Sequence, residues 1–145
     1  MKRCLIDVNV WLTLLAANHD HHLLARTWFD GLKPGEASLC RLVQLALVRL
    51  LGNTAVMGPN TLSARAAWDL IAGELLLDER VEFAPEPQSF GSIFPGLLRY
   101  PTSTGKLVND AYLAAFAIAS GRKLVTIDSG FRQFAELDAE LLRVD

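Results

Sequence analysis

The alternation of short apolar runs with longer helical patterns constrains this chain more than any other feature. Each short run is rich in Val, Ile, Leu or Phe, and the segments between the runs repeat their apolar residues about every 3.6 positions, as a helix does. Strands separated by helices favour a parallel sheet with helices on both faces. We therefore expect an α/β protein, a three-layer α/β/α sandwich around a mainly parallel sheet of four to five strands. The expected strands are RCLIDV (3–8), EASLC (36–40), VEFAP (81–85), KLVTID (123–128) and LLRVD (141–145).

The expected helices occupy the segments between these strands. The first begins after Asn9, which can cap it. The others are 22–32, 41–51, 62–77, a broken helix at 87–98, a long helix at 106–121 that Gly121 closes, and a short helix at 129–137, with RYPTSTGK (99–106) as a loop.

The composition narrows the class of protein. The chain has 145 residues, 51% of them hydrophobic, which suits one domain, residues 1–145, with a substantial core. Its net charge of −2 excludes a polybasic protein, so any contact with nucleic acid must be local. No apolar run reaches the roughly 18 residues of a membrane span. Because Asp7 and Asn9 interrupt the N-terminal apolar stretch, we expect no signal peptide, and hence a cytoplasmic protein that makes no membrane contact.

Acidic residues stand where two of the expected strands end. Asp7 ends the first strand and Asp128 ends the fourth, while Asp110 lies early in the long late helix. In open parallel sheets, ligands sit beyond the carboxyl ends of the strands. Three carboxylates at one sheet edge raise one another's pKa values unless a cation or hydrogen bonds compensate. A divalent cation is the usual solution, and oxygen ligands suit Mg²⁺ or Mn²⁺.

Helix capping is the alternative for each of these acids. Asp7 or Asn9 can cap the first helix, and Asp128 can cap the short helix that follows it. Asp110 can be a first-turn acid paired with Lys106, four residues earlier. Three independent caps need not converge on one sheet edge, however, so the three acids together favour a cation site.

Three stretches of the chain, taken together, resemble a known family. They are LIDVNVWL (5–12), NDAYLAAFA (109–117) and LVTIDSGF (124–131). In this order and spacing they resemble the PIN domain, and the resemblance covers essentially the whole chain. More narrowly, the chain resembles VapC, the toxin of VapBC toxin–antitoxin pairs.

The resemblance implies a metal-dependent ribonuclease. PIN domains gather acids at the carboxyl edge of a parallel sheet and hold one or two Mg²⁺ or Mn²⁺ ions there, which serve phosphodiester hydrolysis. Asp7, Asp110 and Asp128 match the family's first, third and fourth acidic positions, so they are the implied metal ligands and catalytic residues. The resemblance also implies an RNA substrate (transfer RNA or another structured RNA), a VapB-type antitoxin that inserts a peptide over the site, and a homodimer.

Three polar residues are expected to support these acids. Asn9 matches the polar residue that follows the family's first acid, and it would orient the ligands or water without binding metal itself. Thr126 and Ser129 flank Asp128 and are expected to hydrogen-bond to it.

The chain departs from the family at Gln44. The matching family position is usually a Glu on the helix after the second strand. A Gln amide oxygen can assist at a hard cation, so we count Gln44 among the expected catalytic residues. It brings no charge, however, so metal binding would be weaker. The alternative is a polar residue in an apolar helix, which needs a hydrogen-bond partner if it is buried. Arg41, one turn before Gln44, and Lys106 are candidates for contact with a substrate phosphate. Arg41 can equally cover the core or lie in solvent.

Two rival functions follow from the same residues. A PIN-like protein that binds RNA or antitoxin without catalysis is supported by Gln44 alone. A phosphatase of the haloacid dehalogenase type also begins with an acid at a strand end. That chemistry needs a second Asp two residues later, where this chain has Asn9.

Overall fold

A computed structural model describes residues 2–98 and 105–143 of the chain. Its centre is a five-stranded sheet formed by β1 Cys4–Ile6, β2 Ala37–Leu39, β3 Val81–Phe83, β4 Lys123–Thr126 and β5 Ala139–Leu141. All strands run parallel, in the order β3-β2-β1-β4-β5. This confirms the α/β class and the predicted sheet of four to five strands.

The helices form two groups. The helices between β1 and β3 pack against one another, and the two helices between β3 and β4 pack on each other. The chain steps from β1 to β2 to β3 in one direction and then crosses back to β4, so right-handed crossovers place the two groups on opposite faces of the sheet. The helices are α1 Val8–Leu15, α2 His22–Asp30, α3 Arg41–Leu51, α4 Thr54–Met57, α5 Ala64–Leu70, α6 Phe90–Leu97 and α7 Gly105–Ser120. Short 3₁₀ turns cover Gly58–Asn60 and Ser129–Gln133, and a π-helical turn covers Ile71–Leu75.

Several expected boundaries were wrong. The first helix begins at Val8, because the carboxylate of Asp7 caps it and Asn9 already lies inside it. The last strand is Ala139–Leu141 rather than 141–145, since pairing with β4 fixes its position. The segment 87–98 contains one continuous helix, α6, with Pro95 inside it. Most of the predicted loop 99–106 lies outside the described residues.

The core lies around β1, the middle strand. Leu5 and Ile6 are completely buried, because helices cover both faces of the sheet. Trp11 is also buried, and its indole N–H donates to the carbonyl oxygen of Ile6 at 3.1 Å. This contact holds α1 against the end of β1, where Asp7 follows.

Within residues 2–98 and 105–143, no single helix has both the length and the apolar character needed to cross a membrane. One bent pair, Arg41–Leu51 with Thr54–Asn60, meets those criteria of length and composition together. Within that pair, Val43, Leu47 and Leu51 of α3 are buried in the core.

Candidate active site

Asp7 is a buried carboxylate held at both of its oxygens. It follows β1 directly and is only 6% exposed. Its Oδ1 accepts a hydrogen bond from the backbone N–H of Val8 at 2.7 Å, and its Oδ2 accepts one from the hydroxyl of Thr126 at 2.8 Å. Burial raises the pKa of Asp7 above its usual value; these two hydrogen bonds oppose the rise, and the charges of Asp110 and Asp128 add to it. The side chain is thus fixed in position, and a cation would stabilise its charged form.

Thr126 joins the ends of β1 and β4. Its hydroxyl donates to Asp7 and accepts from the backbone N–H of Asp128 at 2.9 Å. The side-chain oxygen of Asn9 accepts from the backbone N–H of Ile127 at 3.3 Å, which ties α1 to the same turn. Asp128 itself begins this turn and caps it, since its Oδ1 accepts from the N–H of Gly130 at 2.8 Å. The polar residues of the two strand ends therefore form one connected network.

Lys106 bridges the other two acids. Its ammonium donates to Oδ2 of Asp110 at 2.7 Å and to Oδ2 of Asp128 at 2.6 Å. The two carboxyls respond differently to this shared cation. Burial raises the pKa of Asp110 and outweighs the lysine, whereas the hydrogen bond from Lys106 lowers the pKa of Asp128, which is more exposed. The two carboxylates in turn raise the pKa of Lys106.

The three acids line one cavity of about 340 Å³. It opens at the carboxyl edge of the sheet, where ligands bind in open α/β folds. Asp7, Asp110 and Asp128 are all among its lining residues. The remaining lining residues are Val8, Asn9, Leu42, Val43, Ala46, Arg49, Lys106, Asn109 and Leu113.

Two polar residues of the lining, Arg49 and Asn109, were not predicted as site residues. Arg49 lies seven positions after Leu42 on α3, and Ala46 lies between them, so helical periodicity places all three on the cavity face. Asn109 precedes Asp110 on α7. The sequence alone does not identify Arg49, because α3 is apolar on more than one side and its pattern does not show which side faces the cavity.

Gln44 and Arg41 lie together but outside the lining of this cavity. Gln44 is 1% exposed, and its amide oxygen accepts a hydrogen bond from the guanidinium of Arg41. The same guanidinium lies over the rings of Phe83, at 4.7 Å, and Trp68, at 5.6 Å. The buried amide thus has the partner that burial requires. A catalytic role for Gln44 and a phosphate contact for Arg41 stay predictions.

The donor set suits a hard divalent cation. Two carboxylate oxygens already meet at the ammonium of Lys106, so they are within reach of one cation, and Asp7 lines the same cavity. As these side chains stand, however, no three His, Cys, Asp or Glu groups among residues 2–98 and 105–143 converge closely enough to hold a metal ion. A cation held by Asp110 and Asp128 would take the place of the Lys106 ammonium, which now contacts both carboxylates.

Comparisons of the sequence identify the family. A model of the PIN domain matches residues 4–137. The chain is 37% identical over 142 residues to Ribonuclease VapC41 of Mycobacterium tuberculosis, and the match covers 95% of this chain and 97% of the relative. It is 34% identical over 127 residues to Ribonuclease VapC29 of the same organism, with 87% and 86% of the two chains covered.

Solved structures share the fold. FitAcB from Neisseria gonorrhoeae superposes with a TM-score of 0.66 at 20% identity, covering 94% of this chain and 95% of that one. Mycobacterium tuberculosis VapC20, described as a sarcin-ricin loop cleaving toxin, superposes with a TM-score of 0.64 at 19% identity, covering 90% and 93%. VapBC2 from Rickettsia felis, bound to a promoter DNA fragment, gives 0.62 at 16% identity, covering 97% and 98%. The family model and the two sequence relatives show that the chain belongs to the PIN domain family, in which these relatives are named as VapC ribonucleases.

Proposed function

We propose that this protein is a metal-dependent endoribonuclease, the toxin of a type II toxin–antitoxin system. The observation that carries the proposal is the cavity in which Asp7, Asp110 and Asp128 lie together at the carboxyl edge of the sheet. Relatives named as VapC ribonucleases support the reaction class. The substrate bond would be an RNA phosphodiester, hydrolysed within the strand.

The three acids would hold one or two Mg²⁺ or Mn²⁺ ions, which when bound supply a more acidic water and neutralise charge on the scissile phosphate. The chain's own contribution is to position the ligands. The N–H of Val8 and the hydroxyl of Thr126 hold the carboxylate of Asp7 rigidly. Asn9 ties the first turn of α1 to the backbone after β4, which keeps Asp7 and Asp128 in register.

Arg49 is the best placed cation for contact with the substrate. It lines the cavity, and in the described part of the chain no carboxylate lies within ion-pair distance of it. A free guanidinium beside a metal site can bind phosphate oxygens in a bidentate manner. Lys106, the residue predicted for this role, can take it up once a metal releases it from Asp110 and Asp128.

A VapB-type antitoxin is the proposed partner. Solved VapBC structures share the fold, including those from Rickettsia felis and from nontypeable Haemophilus influenzae. The antitoxin would neutralise the enzyme by placing a peptide over the acidic cavity. Within such a complex, or alone, the chain is expected to form a homodimer in the cytoplasm.

RNA cleavage tests the proposal directly. Purified protein free of antitoxin should cleave RNA in Mg²⁺ or Mn²⁺, and Asp7→Asn should reduce the rate at least about 100-fold, since one charged metal ligand is lost. Asp69→Asn is the matched control, because Asp69 lies exposed on α5 in an ion pair with Arg65. Circular dichroism would show that both variants fold. Full activity in Asp7→Asn would refute the assignment of Asp7 to the catalytic site.

A protein without catalysis remains the second candidate, and two observations favour it. The family's second acid is replaced by Gln44, whose amide is engaged by Arg41, and Lys106 occupies two of the three carboxylates. Titration calorimetry with Mn²⁺ separates the candidates. Saturable Mn²⁺ binding that is lost in Asp110→Asn supports the nuclease, while no binding in the wild type supports the inactive protein.

A further inference from the structure

A second cavity lies on the other side of Asp128. It has a volume of about 360 Å³ and is formed by the ends of β4 and β5 and by the turn Ser129–Gln133. Asp128 also lines the acidic cavity, so the two cavities share one wall. A strand bound at the acids can therefore continue into this second cavity.

Two arginines, Arg132 and Arg143, line the second cavity. The two acids beside them are engaged by other cations. Glu140 lies 3.3 Å from the ammonium of Lys123, and Asp128 is bonded to Lys106. Among residues 2–98 and 105–143, no carboxylate therefore lies within ion-pair distance of either guanidinium group.

In the described part of the chain, the cations without an ion pair concentrate at the carboxyl edge of the sheet. Most Lys and Arg side chains in residues 2–98 and 105–143 lie within ion-pair distance of a carboxylate. The exceptions in the described part of the chain are Lys33, Arg41, Arg49, Arg132 and Arg143. Three of them, Arg49, Arg132 and Arg143, line the two cavities at that edge, although the chain as a whole carries a net charge of −2.

We propose that the second cavity is a phosphate subsite for the RNA strand, with Arg132 and Arg143 as its ligands. The inference rests on the proposed ribonuclease function and extends it to a neighbouring nucleotide. Guanidinium groups match phosphate oxygens in geometry and charge, and the exposed hydroxyl of Ser129 lines the same cavity. An acidic site repels RNA until metal is bound, so a local pair of arginines would supply the attraction that the whole chain lacks.

The salt dependence of RNA binding tests this subsite. Binding of a short fluorescent single-stranded RNA is measured by anisotropy in EDTA, which prevents cleavage, at several KCl concentrations. Each phosphate contact contributes about 0.7 to the slope of log Kd against log salt for a single strand, which is about 5-fold in Kd near 0.1 M salt. Arg132→Gln and Arg143→Gln should each lower the slope and weaken binding by these amounts. The double variant should lower the slope by about twice as much as either single variant.

The controls separate this contact from a general charge effect. Lys33→Gln removes one unpaired cation before β2, at the opposite edge of the sheet, and should leave the slope unchanged. Arg132→Lys and Arg143→Lys keep the charge and should keep the slope. Circular dichroism would confirm that each variant is folded.

The possible outcomes distinguish the subsite from the nuclease. If the Gln variants bind RNA as Lys33→Gln does, or if the wild type binds no RNA, the subsite is refuted. If the slope falls as expected but the wild type does not cleave RNA in Mn²⁺, the subsite stands as an RNA contact and the nuclease proposal fails.

Discussion

The Lys106→Met substitution should make the protein bind Mn²⁺ more tightly. In the wild type the ammonium of Lys106 is bonded to Asp110 and Asp128, where a divalent cation would have to bind. A metal ion must therefore displace it. Methionine has a similar length and flexibility but no charge, so it removes the competing cation and preserves much of the packing.

The size of the effect follows from the exposure of the lysine. Its side chain is 65% exposed, so each of its two ion pairs is worth only about 0.2–1 kcal/mol. Removing both should favour the metal by about 0.4–2 kcal/mol, or roughly 2- to 30-fold in Kd. The gain should shrink as salt is added, because salt screens exposed ion pairs.

Titration calorimetry of both proteins with Mn²⁺ measures the difference. Lys123→Met is the matched control: it breaks an ion pair with Glu140 at the start of β4, far along the strand from the acids, and should leave Mn²⁺ affinity unchanged. Equal or weaker Mn²⁺ binding by Lys106→Met would refute the idea that lysine and metal compete. RNA cleavage by the same variant reports separately on the predicted phosphate contact, as a raised KM.

Two further predictions concern stability. Thr126→Val loses the hydroxyl that links Asp7 to the backbone of Asp128, so the free energy of unfolding should fall by about 1–3 kcal/mol in urea denaturation, whereas Thr126→Ser, which keeps the hydroxyl, should lose less. Burial alone raises the pKa of Glu82, but hydrogen bonds from Arg122 and other groups hold it below its usual value. Ionised Glu82 thus stabilises the fold above the unfolded-state pKa of about 4.3, and this contribution is lost as the pH falls through the lower folded-state pKa. Glu82→Gln should therefore destabilise the protein by about 1–3 kcal/mol at pH 7, and the gap to the wild type should narrow in acid; a gap that stays constant with pH would contradict the assignment.

The fold and the acidic edge could be predicted because both depend on local patterns. Apolar runs separated by helical segments determine a parallel sheet, and an acid directly after such a run must lie at its carboxyl edge. Asp7 and Asp128 satisfy this rule, although each also caps the turn that follows it. Capping and placement at the cavity turned out to be compatible rather than alternative.

The side of α3 that faces the cavity could not be predicted from the spacing of its apolar residues. The helix is apolar on more than one side, so periodicity alone does not say which side meets the cavity. Packing against the neighbouring helices directs Val43 and Ala46 toward the acids and turns Gln44 toward Arg41. Matching Gln44 to the position of the family's second acid identified the residue, but it did not predict the direction of its side chain.

The second cavity depends on a strand that was misplaced. With the last strand at 141–145, Arg143 would lie inside the sheet. Parallel pairing places Leu141 opposite Thr126, so the strand ends earlier and Arg143 follows it at the carboxyl edge. A short edge strand carries too weak a pattern to determine its own register, and pairing across the sheet decides it.

The most direct test of metal-dependent cleavage at the acidic cavity compares two measurements on the same wild-type sample. One is the rate of RNA cleavage as a function of Mn²⁺ concentration, and the other is Mn²⁺ binding measured by calorimetry. A metal-dependent nuclease should show no cleavage in EDTA and a rate that saturates over the same concentrations at which Mn²⁺ binds. Cleavage that persists in EDTA, or that does not follow occupancy of the metal site, would contradict metal-dependent cleavage at this cavity.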